Sequence, residues 1–552
     1  MTTNATDEVA SDEPTVMHLQ FSSPLQSKFP NELISVMLTH LDTGDAKDLL
    51  SATWVCRKWR IAALSTPSLW TRIDLKSPSL VQLFLDRAGS LPLQLELSEA
   101  DGYQETEEDF IAHILITIAT HLDRMSSLDI AMSPQSIDIL NILAERAQVE
   151  PLQSFRNLRI VCAHQPLEEC VGEIDFHCPI IDLNFPSPLF GATLPSLTKL
   201  EISLPMVYQW TSSFQGSMAS LSFLSLTHCQ LANHGHDATR PAMVDLLRVL
   251  ASAPLLESLV LGGVIPACST VSLPPPLEMQ ALSSLKIFGA TSLQCTQLVE
   301  CLVMSRLVAF EAECFHTESD WCEDDSGYKT SGLILLLKKI PVHVTNSGLT
   351  QLDVEVSRMV ISGLARCEMS LRASHPENTP PAVTLKMTWV ENGEHMSLMD
   401  IATTMRSSLA CFDWNALTYL KLKTTGNYSS IDALVDICVE LSGLTDLVVA
   451  GSCVPIFLRR LGSVTQRDMP FPSLARLTLD HINIALFGCK PRLYMTLGDR
   501  IYGHGQLKSL TLGSGCINHC DREWIDSLES RLSEGVEVLP GDYASSYMGF
   551  RS

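Results

Sequence analysis

Residues 29–75 decide the N-terminal part of the fold, and they read FPNELISVMLTHLDTGDAKDLLSATWVCRKWRIAALSTPSLWTRIDL. Apolar residues between Pro30 and Leu41 recur at helical spacing, which predicts a first helix. Further helices are predicted around Leu49–Ala52 and Trp54–Leu64. Three short helices cannot bury this much apolar surface among themselves. The stretch is therefore either a docking surface or the N-terminal cap of a larger domain.

The same stretch resembles an F-box. Residues 29–34, Phe-Pro-Asn-Glu-Leu-Ile, stand where that family has Leu-Pro-x-Glu and two aliphatic residues, and residues 55–60 match its Val-Cys-Arg-x-Trp-Arg block letter for letter. Residues 67–75 are similar to the junction that follows the F-box in fungal, basidiomycete-type F-box proteins. The departures are Phe29 in place of leucine and a slightly longer segment at 43–47.

The resemblance implies a partner for this stretch. F-box proteins dock on the Skp-type adaptor of a cullin–RING ubiquitin ligase. The adaptor-binding residues that the resemblance implies are Pro30, Leu33, Ile34, Leu38, Leu41, Leu49, Leu50, Val55, Cys56 and Trp59.

The composition limits the other partners. The chain has 552 residues with 62 acidic and 38 basic side chains, a net charge of −24. Phosphate backbones and anionic membranes would repel such a chain, so nucleic acid and membrane surfaces are not expected partners. We also expect no transmembrane helix and no secretion signal.

The 17 cysteines are scattered, with no C-x-x-C pair. This pattern is typical of reduced thiols and predicts a cytoplasmic or nuclear protein. His and Cys clusters lack metal-ligand spacing, and the usual catalytic motifs are missing, so no metal, cofactor or enzymatic activity is predicted. A solenoid hydrolase is the enzyme-class alternative.

A leucine pattern follows the F-box-like stretch. Residues 221–231 fit the template L-x-x-L-x-L-x-x-N/C-x-L of leucine-rich repeats at every position. Related copies begin at Phe155, Leu197, Leu256, Leu282, Leu417, Leu444, Leu474 and Leu507. Helical stretches lie between several copies, which predicts strand-and-helix repeats stacked as a solenoid.

The predicted fold class is α/β: an N-terminal three-helix F-box, then an irregular leucine-rich-repeat solenoid with a parallel sheet on its concave face. The predicted divisions are a disordered acidic leader at 1–27, the F-box-like domain at 28–75, the solenoid at 76–539 and a tail at 540–552. Irregular insertions or loops are expected near 311–330 and 365–412.

Residues between the leucines should face the concave side, because side chains alternate along a strand. The substrate-binding candidates on this face are Phe223, Phe288, Tyr419, Lys421, Lys423, Arg476 and Lys508. Their cations fall in the C-terminal copies, which suggests a locally basic strip for an acidic or phosphorylated partner.

These observations together predict the substrate-recognition subunit of an SCF-type ubiquitin ligase. The alternative is a leucine-rich-repeat scaffold without a ligase role, in which the F-box-like start is only a cap.

Overall fold

In the computed structural model, the chain divides into two compact units, Met1–Glu96 and Leu97–Ser552. The structure describes residues 29–40, 46–74, 78–98, 120–132, 153–162, 195–203, 218–227, 243–266, 274–315, 321–323, 329–331, 336, 338–341, 349–361, 364–374, 383–391, 416–425, 438, 441–461, 471–480, 507–513, 522–530 and 532–538. The predicted leader, the predicted tail and Leu41 lie outside these residues.

The first unit begins with three helices, as predicted, but Trp54 and Val55, which were expected in the third helix, end the second. The helices are α1 (Asn31–Thr39), α2 (Ala46–Val55) and α3 (Arg57–Leu64). A 3₁₀ turn, β1 (Arg72–Asp74), α4 (Pro78–Ala88) and β2 (Leu93–Ser98) follow. Strands β1 and β2 pair in parallel, with Ile73 opposite Leu95. The compact unit ends at Glu96, so it includes β1, α4 and the first four residues of β2.

The core of this unit forms around Trp70. Its indole N–H donates to the carbonyl oxygen of Ala63 at 2.9 Å, at the end of α3. Its ring meets Phe84 of α4 edge-on, with centroids 5.0 Å apart. Ile34 and Leu38 are both buried because they lie four residues apart on one face of α1. Trp70 therefore contacts both α3 and α4.

The second unit contains a large sheet and several helices. The described helices are α5 (Met243–Ala251), α6 (Ser292–Glu300), α7 (Val454–Leu461) and α8 (Arg522–Glu529). The described strands are β3 (Met125–Met132), β4 (Asn157–Cys162), β5 (Lys199–Ser203), β6 (Phe223–Thr227), β7 (Ser258–Gly262), β8 (Leu277–Glu278), β9 (Ser284–Thr291), β10 (Leu302–Val303), β11 (Ala309–Phe315), β12 (Trp321–Glu323), β13 (Lys329–Ser331), β14 (Gln351–Ile361), β15 (Leu364–Ser374), β16 (Val383–Glu391), β17 (Tyr419–Thr425), β18 (Asp446–Gly451), β19 (Arg476–Asp480), β20 (Ser509–Leu512) and β21 (Gly535–Val538).

The large sheet of this unit is mostly parallel. Strands β3, β4, β5, β6, β7, β9 and β11 are neighbours in that order and pair in parallel. Strands β14, β17, β18, β19, β20 and β21 form a second parallel series. Strand β15 joins the two series by pairing antiparallel to both β16 and β14, and β16 lies parallel to β11.

The leucine pattern determines the register of both series. Leu224 of β6 lies opposite Leu200 on one side and Leu259 on the other, and all three are buried. Leu447 of β18 lies between Leu420 and Leu477 in the same way. A slip of one residue would turn every buried leucine to the other face, so burial of this column specifies the pairing.

The backbone before many of the parallel strands repeats one hydrogen-bond arrangement. The carbonyl oxygen of Ser222 accepts from the N–H groups of both Glu257 and Ser258, at 2.8 and 3.0 Å. The carbonyl oxygen of Thr418 accepts in the same way from Thr445 and Asp446, both at 2.9 Å. Hydroxyl groups often add a third donor to such a carbonyl; the pairs are Thr198 to Arg156, Ser222 to Thr198, Ser283 to Glu257, Thr418 to Thr350 and Thr445 to Thr418.

The predicted insertion near 365–412 is partly strand and not loop. Residues 364–374 and 383–391 form β15 and β16, and they interrupt the parallel order with antiparallel pairs. Leu371 and Ala373 are buried and alternate with residues that face outward. The leucine pattern did not predict these strands because an antiparallel pair can be joined by a short turn, without the helix that links parallel strands. In the region near 311–330, residues 311–315 belong to β11, and β12 pairs with β13 as a small antiparallel sheet.

Gly451 provides a test of the turn that ends β18. Its φ is +80°, and a Cβ atom there would collide with the carbonyl oxygen of Thr424. We expect Gly451→Ala to lower the free energy of unfolding by about 3 kcal/mol, because backbone strain and collision add together.

The matched control is Gly535→Ala. Gly535 has a φ of +84°, but the nearest atom to an added Cβ is 4.0 Å away. Only the backbone cost of about 1 kcal/mol is expected there. Chemical denaturation of both variants measures the difference, and equal losses would show that the contact with Thr424 is unimportant.

Candidate functional site

Exposed apolar side chains are concentrated in the three N-terminal helices. Among the described residues, most large apolar side chains that are exposed lie between residues 29 and 64. We call these the exposed apolar set: Phe29, Leu33, Val36, Met37, Trp54, Val55, Ile61 and Leu64. A protein rarely leaves such a concentration in water unless the surface binds a partner.

Helix α1 has two distinct faces. Leu33, Val36 and Met37 are about half exposed, and their spacing of three and four residues places them on one side of the helix. Ile34 and Leu38 lie on the other side and are buried. Helix α1 therefore contributes to the core of the unit and also presents an apolar stripe to solvent.

The end of α2 and the exposed side of α3 add the remaining apolar groups. Trp54 is 77% exposed, the largest value among the exposed large apolar side chains, and Val55 follows it at 53%. The guanidinium Nε of Arg60 donates to the carbonyl oxygen of Thr53 at 3.1 Å and links α3 to the end of α2. An exposed tryptophan held on a fixed helix end is a typical binding hot spot.

The structure places the predicted adaptor-binding residues in different environments. Pro30, Leu33 and Val55 are exposed. Leu50, Cys56 and Trp59 are partly buried. Ile34, Leu38 and Leu49 lie in the core of the unit, where they support the helices. Leu41 lies outside the described residues, and the roles of all these residues in binding stay predictions.

The sequence-based set omitted six members of the exposed apolar set: Phe29, Val36, Met37, Trp54, Ile61 and Leu64. The spacing of Val36 and Met37 from Leu33 was the available signal for those two residues. Trp54 follows the buried pair Ala52 and Thr53, and its exposure depends on how α2 ends against α3.

Comparison with known protein families points to the same N-terminal helices that carry the exposed apolar set. Residues 27–76 match the family model described as F-box-like. These residues form an F-box-like domain. The match covers the three helices, the 3₁₀ turn and β1, and it includes every member of the exposed apolar set. No curated protein matches the chain.

The predicted substrate-binding residues lie on the solvent face of the large sheet or beside it. Phe223 is half-buried, with the ammonium group of Lys199 at 5.0 Å from its ring centroid. The ring of Phe288 occupies the space above Gly262, where a Cβ atom would collide with it. Tyr419, Lys421 and Lys423 alternate with buried leucines along β17. Arg476 begins β19 and Lys508 directly precedes β20; both are exposed.

The predicted basic strip requires correction, because carboxylates lie beside most of its cations. Lys423 Nζ is 2.8 Å from a carboxylate oxygen of Glu355. Arg476 forms a two-pronged ion pair with Asp446. Lys421 lies within electrostatic range of Asp353. The acidic partners belong to neighbouring strands of the sheet, so the local charge is largely balanced.

The N-terminal series of strands shows the same balance. Arg159 of β4 binds Asp129 of β3 at 2.9 Å and Glu201 of β5 at 3.2 Å. Lys286 of β9 pairs with Glu311 of β11 at 3.0 Å. Cross-strand ion pairs are thus a general property of the described solvent face of this sheet.

Three ionisable groups near β17 have shifted pKa values. Partial burial raises the pKa of Asp353, and Lys421 and Arg372 offset only part of that effect. Burial, together with the charges of Asp353 and Asp446, raises the pKa of Tyr419. Burial also acts to raise the pKa of Asp446, but hydrogen bonds from Arg476 and Thr445 outweigh it and hold the value below the usual range.

Within the part of the chain that the structure describes, no group of three or more His, Cys, Asp or Glu residues is placed to hold a metal ion. No helix in that part is long and apolar enough to cross a membrane.

The ion pair between Asp446 and Arg476 gives a pH-dependent prediction. Because the pKa of Asp446 is lowered in the folded protein, its stabilising effect is present at neutral pH and is lost as the pH falls through that value. A double-mutant cycle with Asp446→Asn and Arg476→Gln should give a coupling of about 0.2–1 kcal/mol at pH 7, typical of an exposed pair.

The cycle is measured by chemical denaturation at pH 7 and again near the acid limit at which the protein still folds. We expect the coupling to shrink at the lower pH and in high salt. A coupling that is unchanged under both conditions would show that the two side chains interact by something other than charge.

Proposed function

We propose that this chain is the substrate-receptor subunit of an SCF-type cullin–RING ubiquitin ligase, with its F-box-like domain docked on a Skp-type adaptor. The observation that supports this most strongly is the exposed apolar set, which falls entirely inside the F-box-like match. The core beneath it is complete, with Ile34, Leu38 and Leu49 buried. The surface groups are therefore free to bind a partner without loss of the fold.

For the second unit we propose an irregular leucine-rich-repeat solenoid that holds a protein substrate. The repeated leucine pattern, the parallel neighbours and the helices between some strands support this proposal. The charge-balanced solvent face favours a substrate segment with mixed polar and apolar groups, because a segment of one charge would be repelled by half of the paired side chains.

In this proposal the chain performs no chemistry of its own. The receptor raises the effective concentration of a substrate lysine near the ubiquitin-charged conjugating enzyme. It needs no cofactor or metal, and it works in the cytoplasm or nucleus, where its thiols stay reduced. A fungal, basidiomycete-type origin also stays a prediction that rests on the resemblance of residues 67–75.

Binding of the full-length chain to a purified Skp-type adaptor tests the docking proposal. Leu33 is 48% exposed, so Leu33→Asp would place a carboxylate in the apolar contact without touching the core. We expect a loss of at least about 100-fold in affinity, because burial of an unpaired charge costs several kcal/mol. Trp54→Ala should weaken binding by about 30-fold or more, as for a hot-spot tryptophan.

Leu255→Asp is the matched control. Leu255 is 57% exposed but belongs to the second unit. This variant should bind the adaptor as the wild type does. Circular dichroism and unfolding curves show whether each variant is folded. A folded wild type without affinity for the adaptor would leave the helical segment as a cap, and the scaffold alternative would replace the ligase proposal.

The ligase role needs its own test, because an adaptor complex can act without ubiquitination. We expect the chain and adaptor together to co-elute with a purified cullin–RING core, and Leu33→Asp to abolish that assembly. Binding to the adaptor without assembly on the cullin would support an adaptor complex that has no ligase activity.

A further inference from the structure

Two buried thiols meet between a helix and a strand of the second unit. Cys295 lies on α6 and Cys314 lies on β11, and their sulfur atoms are 3.3 Å apart. Both residues are almost completely shielded from solvent. The sulfurs would need to approach by only about 1.2 Å to reach the length of a disulfide bond, roughly 2.05 Å.

An irregularity in the sheet creates this contact. Strands β9 and β11 pair regularly as far as Phe288 opposite Glu313, and then the register shifts so that Cys314 lies opposite Ala290. Gly289 is the extra residue that the register skips, and its φ of +64° is a backbone conformation that glycine adopts readily. The bulge turns Ala290 inward, where it is buried beside Cys314.

The start of α6 then places the second thiol. Thr291 caps the helix: its side chain accepts from the backbone N–H of Gln294, and the Gln294 side chain accepts from the backbone N–H of Thr291. The side-chain amide Nε2 of Gln294 also donates to the carbonyl oxygen of Ile265 at 3.1 Å. This double anchoring fixes the first turn of α6, and Cys295 follows directly on its buried side.

We propose that Cys295 and Cys314 form a redox latch that ties α6 to β11 when the protein meets a two-electron oxidant such as a peroxide. One thiolate attacks a peroxide oxygen, which gives a sulfenic acid and water. The second sulfur then displaces the sulfenic oxygen as water, and the disulfide forms. Two thiols and one hydrogen peroxide thus yield one disulfide and two waters.

The burial of both sulfurs determines when the latch closes. An oxidant reaches them only when α6 opens locally from the sheet, so the reaction rate follows that opening. Once formed, the bond prevents α6 from leaving β11. This strand carries Glu311 and Glu313, which pair with Lys286 and Lys386 on the solvent face. The inference concerns the second unit alone and does not depend on adaptor binding.

The test uses the full-length wild type, purified with reduced thiols and exposed to hydrogen peroxide under native conditions. After the remaining thiols are blocked, peptide mass spectrometry without reduction should find the segments of Cys295 and Cys314 cross-linked, with the loss of two hydrogens. Hydrogen exchange of the α6 amides should slow by about tenfold or more after oxidation, and a reductant should restore it.

Cys314→Ala should lose both the cross-link and the slower exchange. Cys453→Ala should retain both; Cys453 is the matched control because it is another buried thiol, in contact with the carbonyl oxygen of Ala450 at 3.2 Å. The wild-type measurements stand even if a variant folds poorly. Separate sulfinic acids on the two cysteines, or a cross-link that appears only in denatured protein, would overturn the proposal.

Discussion

The parallel strands of the second unit depend on one repeated interaction, in which a carbonyl oxygen just before a strand accepts two N–H groups from the start of the neighbouring strand. Ser222, Ser283 and Thr418 all provide such an oxygen. A carbonyl with two lone pairs is fully satisfied by this arrangement, so it can lie inside the turn without cost. The same contact aligns neighbouring strands, and the leucines that follow are brought into one buried column.

Much of this unit could be predicted from the sequence, because the leucine spacing directly reports which residues face inward. The first-leucine positions Leu221, Leu256 and Leu444 each precede a described parallel strand and are buried. The antiparallel strand β15 could not be predicted in this way. Buried and outward residues alternate in it over only a few positions. Its pairing with β14 and β16 is antiparallel, and the leucine spacing carries no information about such pairs.

The sheet surface shows why the predicted site was less accurate than the predicted fold. The sequence indicates that Lys423 points outward. Its ion-pair partner Glu355 lies far earlier in the chain and becomes its neighbour only because β17 pairs with β14, so the pair could not be predicted from the sequence. In the first unit, the motif identified Leu33 and Ile34 together. Helical geometry places one of them in solvent and the other in the core. A motif therefore locates a binding segment more reliably than it shows which residues of that segment are exposed.

The antiparallel strands also have a consequence for how the sheet forms. Parallel neighbours such as β18 and β19 join residues about thirty positions apart, from Asp446 to Arg476, whereas the pairing of β14 with β15 begins with Ile361 opposite Leu364. Short loops close faster than long ones. The hairpin is therefore suited to fold first and to act as a nucleus, with one parallel series growing from β14 and the other from β16.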